Sequence, residues 1–242
     1  VERDLVPPGP EGEERVTRLT LTRTPPTPEG ETGGGIVVLR DISAEAGFTR
    51  RLAHQANHDQ LTGCTNRYHF EDRLSELVAS LPGSGRQHAL CYVDLDQFKV
   101  VNDTCGHAAG DRLLCDLTDN LKAMIRDGDV LSRLGGDEFG LLIVDADRAH
   151  AERIAKGILT FFQSFVFRCG ERAFAVRASI GFVAVDEGSG EIGEILSAAD
   201  KACYAAKEGG RDSLHVYDPD DAAMAERSIE LNWLPKLRGA LD

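Results

Sequence analysis

The segment Leu134-Gly135-Gly136-Asp137-Glu138-Phe139-Gly140 lies between two apolar runs, Asp129–Leu134 and Phe139–Val144. Apolar runs joined by a glycine pair predict strand, tight turn, strand, because glycine reaches the positive-φ conformations such turns need. The turn would hold two adjacent carboxylates, Asp137 and Glu138, beside backbone that carries no side chain. A phosphate and a hard cation can both come close there. Carboxylates placed in this way bind metal or do acid/base chemistry.

A second carboxylate pair lies upstream. Ala89–Val93 reads as a buried strand leading into Asp94-Leu95-Asp96. Asp94 and Asp96 are two apart and share one face of an extended chain, with Leu95 on the other. Val100–Asp111 reads as a polar, glycine-punctuated connection. A helix follows, with Leu113, Leu114, Leu117, Leu121, Met124 and Ile125 on its apolar stripe.

From Leu61 the expected order is helix, strand, helix, hairpin, helix, strand, helix, strand. Arg148–Phe167 is read as the third long helix, and Glu171–Val185 as a strand with room for a hairpin partner. Ile192–Lys207 is read as the last helix and Ser213–Tyr217 as the closing strand. Helices alternating with strands around a central hairpin predict an α/β (α+β) sandwich of ferredoxin-like type, with a mostly antiparallel sheet flanked by helices.

The bulk properties narrow the function. A chain of 242 residues suffices for one full core with flanking pieces. The net charge of −13 and the lack of a basic tract argue against nucleic-acid binding. A nucleoside triphosphate needs only a few local cations and is not excluded. No apolar run approaches the roughly 18 residues that span a bilayer, so no membrane contact is expected of this segment. The six cysteines are scattered without a C-x-x-C and read as small hydrophobes in a reducing, cytoplasmic setting. Val1 is not an initiator and shows no signal-peptide pattern, so the chain reads as part of a longer protein, one that regions outside it could anchor in a membrane.

The flanks differ in character. Residues 1–35 are rich in Pro, Gly, Glu and Thr, yet Val16–Arg23 alternates like a strand and Gly34–Ile42 gives a second. Ala44–His58 reads as a helix with Phe48 and Leu52 on one side. His54 and His58 have the spacing of a helical zinc pair, but Gln55 stands where a metalloprotease has its Glu and no third ligand suggests itself. In the tail, Ile229, Trp233, Leu237 and Leu241 recur every four residues as an amphipathic helix that Pro235 would disturb.

Five ordered motifs resemble one family. Asp94-x-Asp96-x-Phe98-Lys99-x-x-Asn102-Asp103-x-x-Gly106-His107-x-x-Gly110-Asp111 and Gly135-Gly136-Asp137-Glu138-Phe139 resemble the GGDEF domain of diguanylate cyclases. Asp59-x-Leu61-Thr62-Gly63 through Asn66-Arg67, Ala178–Phe182, and Ala199–Arg211 are similar to its opening motif, late strand and closing helix. Cys64 replaces a usual Leu and reads as tolerated packing. The resemblance covers residues 59–218 and implies the nucleotide-cyclase palm. Residues 1–43 resemble the last hairpin of a PAS sensor domain, 44–58 a signalling helix, and 219–242 the lead-in to an EAL phosphodiesterase domain.

The resemblance implies that two GTP condense to cyclic di-GMP and two pyrophosphates with Mg²⁺, or Mn²⁺ in its place. Asp94, Asp137 and the Leu95 carbonyl match the metal ligands. Glu138 matches the group that activates the 3′-hydroxyl, as a base or as a second metal ligand. Lys99, Lys207 and Arg211 match triphosphate-holding positions; without the resemblance, the last two read as a basic helix end. Asn102 and Asp111 match the guanine readers. Asp96 is read as capping or turning the chain. Arg126-x-x-Asp129 fits an inhibitory site for cyclic di-GMP, with an exposed helix-to-strand turn as the plainer reading. Activity would need a homodimer, since each subunit offers one GTP half-site. The competing reading is a silent GTP-binding module that tunes an adjoining EAL phosphodiesterase.

Overall fold

The structure, a computed structural model, describes residues 2–5, 16–23 and 35–218. The chain divides between Asn57 and His58 into two units. The tail read as a linker helix lies outside the described residues.

The first unit holds strands β1 (Glu2–Leu5), β2 (Thr17–Arg23) and β3 (Gly35–Asp41), then helix α1 (Ser43–Asn57). The expected hairpin is present as β2 and β3, paired from Thr17↔Asp41 to Arg23↔Gly35. The short strand β1, absent from the expected order, pairs with the other edge of β2. Asp41 caps the helix start, its Oδ1 accepting the Ser43 N–H at 2.9 Å.

In the second unit, β4 (Thr65–Asn66) leads directly into α2 (Arg67–Ala79), capped by Asn66 Oδ1 accepting the His69 N–H at 3.0 Å. Then come β5 (His88–Asp96), α3 (Phe98–Cys105), α4 (His107–Met124), β6 (Val130–Gly135), β7 (Glu138–Ile143) and α5 (Arg148–Ser164). The chain continues through β8 (Val166–Cys169), β9 (Arg172–Ala175), β10 (Arg177–Val185), α6 (Ile192–Glu208) and β11 (Leu214–Val216). Six strands form one sheet in the order β11-β10-β5-β7-β6-β4. The inner pairings are antiparallel and the two outer ones parallel, so the sheet is mostly antiparallel as expected.

Helices cover both faces of this sheet. Ala89, Cys91, Val93 and Leu95 of β5 join one core with Leu113, Leu117 and Leu121 of α4 and Ile158 and Phe162 of α5. Leu90 and Tyr92 join the other with Phe70 and Leu74 of α2 and Ile195 and Ala199 of α6. Residues 89–93 of β5 form an unbroken apolar run because neither face of the strand meets water. On the second face, α6 lies almost on the sheet: a Cβ on Gly181 would come within 2.3 Å of the Ala199 carbonyl oxygen.

Three expectations need correcting. Residues 100–111 are not an open connection: α3 and the start of α4 occupy them, broken only at Gly106. Burial of Val101 holds α3 in place of a local cap, since Gln97 at its N-cap has φ +59° and makes no side-chain cap bond. The third long helix ends at Ser164, because 166–175 form the β8–β9 hairpin. On α4 the four leucines are buried as expected, whereas Met124 is exposed.

Candidate active site

The β6–β7 hairpin turns through Gly136, at φ +52°, and Asp137. Register across the sheet sets Glu138 of β7 opposite Asp94 of β5. The Leu95 N–H donates to the Asp137 carbonyl at 3.2 Å. Within one strand residue, N–H and C=O point to the same side, so the Leu95 carbonyl faces the same turn. Asp94, the Leu95 carbonyl, Asp137 and Glu138 are thereby brought to one end of the sheet. Among the described residues, no three His, Cys, Asp or Glu side chains gather into a metal cage. Two carboxylates with a carbonyl suit a cation that keeps water and phosphate in its remaining positions.

The electrostatics fit a cation there. Burial pushes the Asp94 carboxyl above its usual range; Asp137 and Glu138 push it further, and Lys207 opposes them. Lys207 Nζ lies 2.6 Å from Asp94 Oδ2. Burial alone would lower the Lys207 ammonium, but its hydrogen bond to Asp94 and the charges of Asp94 and Asp137 carry it above the ordinary lysine value. Lys207 therefore sits paired with the residue expected to ligate metal.

The other substrate residues lie on neighbouring elements. Lys99 and Asn102 are three apart on α3, on one face. Asn102 Oδ1 occupies the space above Gly110, where a Cβ would lie 1.9 Å from it, which places Asn102 beside Asp111 of α4. Lys99 and Asp111 are exposed and Asn102 half-buried. Arg211 follows α6 at φ +64°, with Nε 3.9 Å from Asp96 Oδ1. Asp96 anchors rather than binds: it accepts from Ser179 Oγ at 2.9 Å and from the Asp212 N–H at 3.0 Å. Two clefts reach residues next to the site, one at Leu95 and one at Tyr92 and Leu134. One, of about 510 Å³, lies along Gln97, Phe98, Arg177 and Arg211; the other, of about 430 Å³, along Arg67, Tyr92 and Asp200.

Four supporting residues have no role assigned by the sequence patterns. Arg133 donates to the Gly136 carbonyl from Nη2 at 2.8 Å and from Nε at 3.0 Å, and pairs with Asp59 at 3.2 Å. Asp59 also accepts from Thr62 N–H at 2.9 Å and Oγ1 at 2.8 Å. Against the effect of burial, these bonds hold its carboxyl below the usual range. Arg67 Nε donates to the Leu134 carbonyl at 3.0 Å, and Tyr92 Oη donates to Glu138 Oε2 at 2.8 Å. The Asp59–Arg133, Arg67–Leu134 and Tyr92–Glu138 contacts join residues 74, 67 and 46 apart, beyond the reach of spacing arguments; for Asp59 and Arg67, membership of the opening motif is the available signal.

At the far end of the hairpin, Arg126 and Asp129 are brought together, with Nε 3.7 Å from Oδ1. The Asp129 side chain is fully buried and accepts from the Val144 N–H at 3.0 Å and the Arg126 N–H at 3.3 Å. The Arg126 guanidinium, half-exposed, donates to the carbonyls of Val144 and Asp145. Cys64 is buried against Thr62, consistent with packing.

Known proteins share this architecture. A probable diguanylate cyclase of Escherichia coli, DgcE, is 40% identical over 211 residues, which is 86% of this chain and 19% of that protein. The GGDEF domain of TpbB from Pseudomonas aeruginosa superposes with a TM-score of 0.65 at 33% identity, covering 70% of this chain and 99% of that one. The GGDEF domain of DgcB from Caulobacter crescentus, solved in complex with c-di-GMP, superposes with a TM-score of 0.63 at 27% identity, covering 67% of this chain and 94% of that one. The chain spans about a fifth of the length of DgcE, 19% of it. The family described as diguanylate cyclase, GGDEF domain, matches residues 56–213, and the chain belongs to it.

Proposed function

We propose that this domain is a diguanylate cyclase, joining two GTP into cyclic di-GMP with release of two pyrophosphates. The observation that carries the reading is the meeting of Asp94, the Leu95 carbonyl, Asp137 and Glu138 at one sheet end, with Lys207 2.6 Å from Asp94. Asp94, Asp137 and the Leu95 carbonyl would hold Mg²⁺, or Mn²⁺ in its place, which when bound supplies charge neutralisation for the triphosphate.

The chain's own residues do the rest. Lys99 and Arg211 draw in the phosphates, Arg211 able to bind two oxygens at once. Lys207, paired with Asp94 at 2.6 Å, would be free to hold phosphate with a cation on Asp94. Asp111 accepts from guanine N1 and N2, groups adenine cannot offer, and Asn102 reads the same base from α3. Glu138 takes the proton from the attacking 3′-hydroxyl. Each subunit holds one GTP, so the reaction needs two subunits face to face. Cyclic di-GMP returns to Arg126 and Asp129 as an inhibitor; arginine suits both its phosphates and the guanine Hoogsteen edge. The domain works in the cytoplasm, with residues 1–43 as the end of a PAS-like sensor and 44–58 as the signalling helix.

The test is chromatography of nucleotides after incubating the chain with GTP and Mg²⁺ over a protein concentration series. Cyclic di-GMP rising more steeply than linearly with protein supports a dimer-dependent cyclase. Intact GTP at every concentration rejects the proposal.

A further inference from the structure

The two oxygens of Glu138 are not equivalent. Tyr92 Oη donates to Oε2 at 2.8 Å, and Arg67 Nη2 lies 3.5 Å from the same atom. Among the described residues, no protein group donates to Oε1. The Glu138 side chain is 35% exposed, so the carboxylate is open to an incoming group.

The contact follows from the register. Tyr92 lies two residues before Asp94 on β5 and shares its face. Directly opposite Tyr92 stands Gly140, and opposite Asp94 stands Glu138. Residues on the diagonal of an antiparallel pair are within reach of an aromatic side chain. Gly140 presents nothing for the phenol to pack on, and its own missing Cβ leaves room for the Phe70 ring, which would otherwise be 2.7 Å away. Phe70 is fully buried and Tyr92 is 8% exposed, so the phenol is fixed along the diagonal. Burial first, and the Glu138 hydrogen bond second, push the phenol's pKa up.

We propose that Tyr92, helped by Arg67, is a positioning residue that holds Glu138 by Oε2 and leaves Oε1 as the oxygen that meets the 3′-hydroxyl of the incoming GTP. The proposal rests on the role given to Glu138 above. A carboxylate free to rotate would present either oxygen at varying distance, and misplacement of about 1 Å can cost roughly 100-fold in rate.

The experiment compares Tyr92→Phe, Glu138→Gln and the double variant in the whole chain. The aromatic ring and its packing survive in Tyr92→Phe, so a thermal melt unchanged from the parent is expected. Turnover should fall about 10-fold or more, with the KM for GTP unchanged. In the Glu138→Gln background, the tyrosine substitution should add no further loss. Parental turnover in Tyr92→Phe, or a loss that simply multiplies that of Glu138→Gln, overturns the positioning role while leaving the cyclase reading intact. Parental turnover in Glu138→Gln overturns the role of Glu138 itself, and this inference with it.

Discussion

The β6–β7 hairpin has two ends that treat charge in opposite ways. At the turn, the Asp137 carboxylate has no hydrogen bond or ion pair among the described residues, and Glu138 is held by one oxygen only. Burial first and then both of these carboxylates push the Asp94 carboxyl up, and Lys207 offsets them only in part. At the other end, Asp129 is fully buried with both oxygens engaged, and Arg126 spans its carboxylate and two backbone carbonyls. One end holds negative charge without full compensation, which suits a site completed by a cation. The other is complete within the protein, so any ligand there must compete with existing bonds. The same two strands thus carry one end built for chemistry and one built for stability, with Arg126 the exposed group at the second.

The largest effect that tests this contrast is at the turn. Glu138→Gln should lower cyclic di-GMP formation by roughly 10²–10⁴-fold, the usual contribution of a general base. GTP binding by calorimetry should persist and the melting temperature should change little. At the far end the ranking should reverse. Asp129→Ala leaves the Val144 and Arg126 N–H groups without their acceptor, at a cost of roughly 1–3 kcal/mol in denaturant unfolding. Arg126→Ala removes an exposed cation and should cost little stability. If the inhibitory reading holds, cyclic di-GMP should inhibit it roughly tenfold more weakly, the scale of one charge-assisted hydrogen bond. An unchanged inhibition constant would confine this end to a structural role.

The smallest effect concerns pH. His88 lies under the far end of the hairpin, 2% exposed, with Nδ1 accepting the Asp145 N–H at 2.9 Å and Nε2 without a partner among the described residues. Burial lowers its pKa, helped by Arg86 and Arg73 and opposed by Asp145. Below the ordinary histidine value of about 6.5 the unfolded chain binds a proton that the native chain refuses. Stability should therefore fall as pH drops from 7 through that window, and His88→Asn should flatten the slope seen in melts at a series of pH values.

Much of this contrast is legible in the amino-acid sequence. The glycine pair, the carboxylates around it and the strand before Asp94 all carry local signals, and each stands where those signals put it. Helix α3 is not legible, because Asn102, Asp103 and Thr104 are poor helix formers and the burial of Val101 that compensates is a tertiary fact. The pattern overruns the end of α5 because Phe165-Val166-Phe167 continues the apolar run into β8. The asymmetry of Glu138 is hidden for a different reason: it depends on which residue faces Tyr92 across two strands, and only the register supplies that.

The close seating of α6 on Gly181 has a mechanical consequence. A helix separated from its sheet by ordinary side chains can slide or roll by fractions of a turn. This one is keyed to the strand backbone, like a gear tooth in its slot. Lys207 lies about two turns beyond Ala199, so its reach toward Asp94 is set by that key. A single residue inserted between them would rotate the lysine by about 100° around the helix axis and carry it off the carboxylate. The distance from Ala199 to Lys207 is thus a gauge length, and catalysis should tolerate changes of residue along it far better than changes of count.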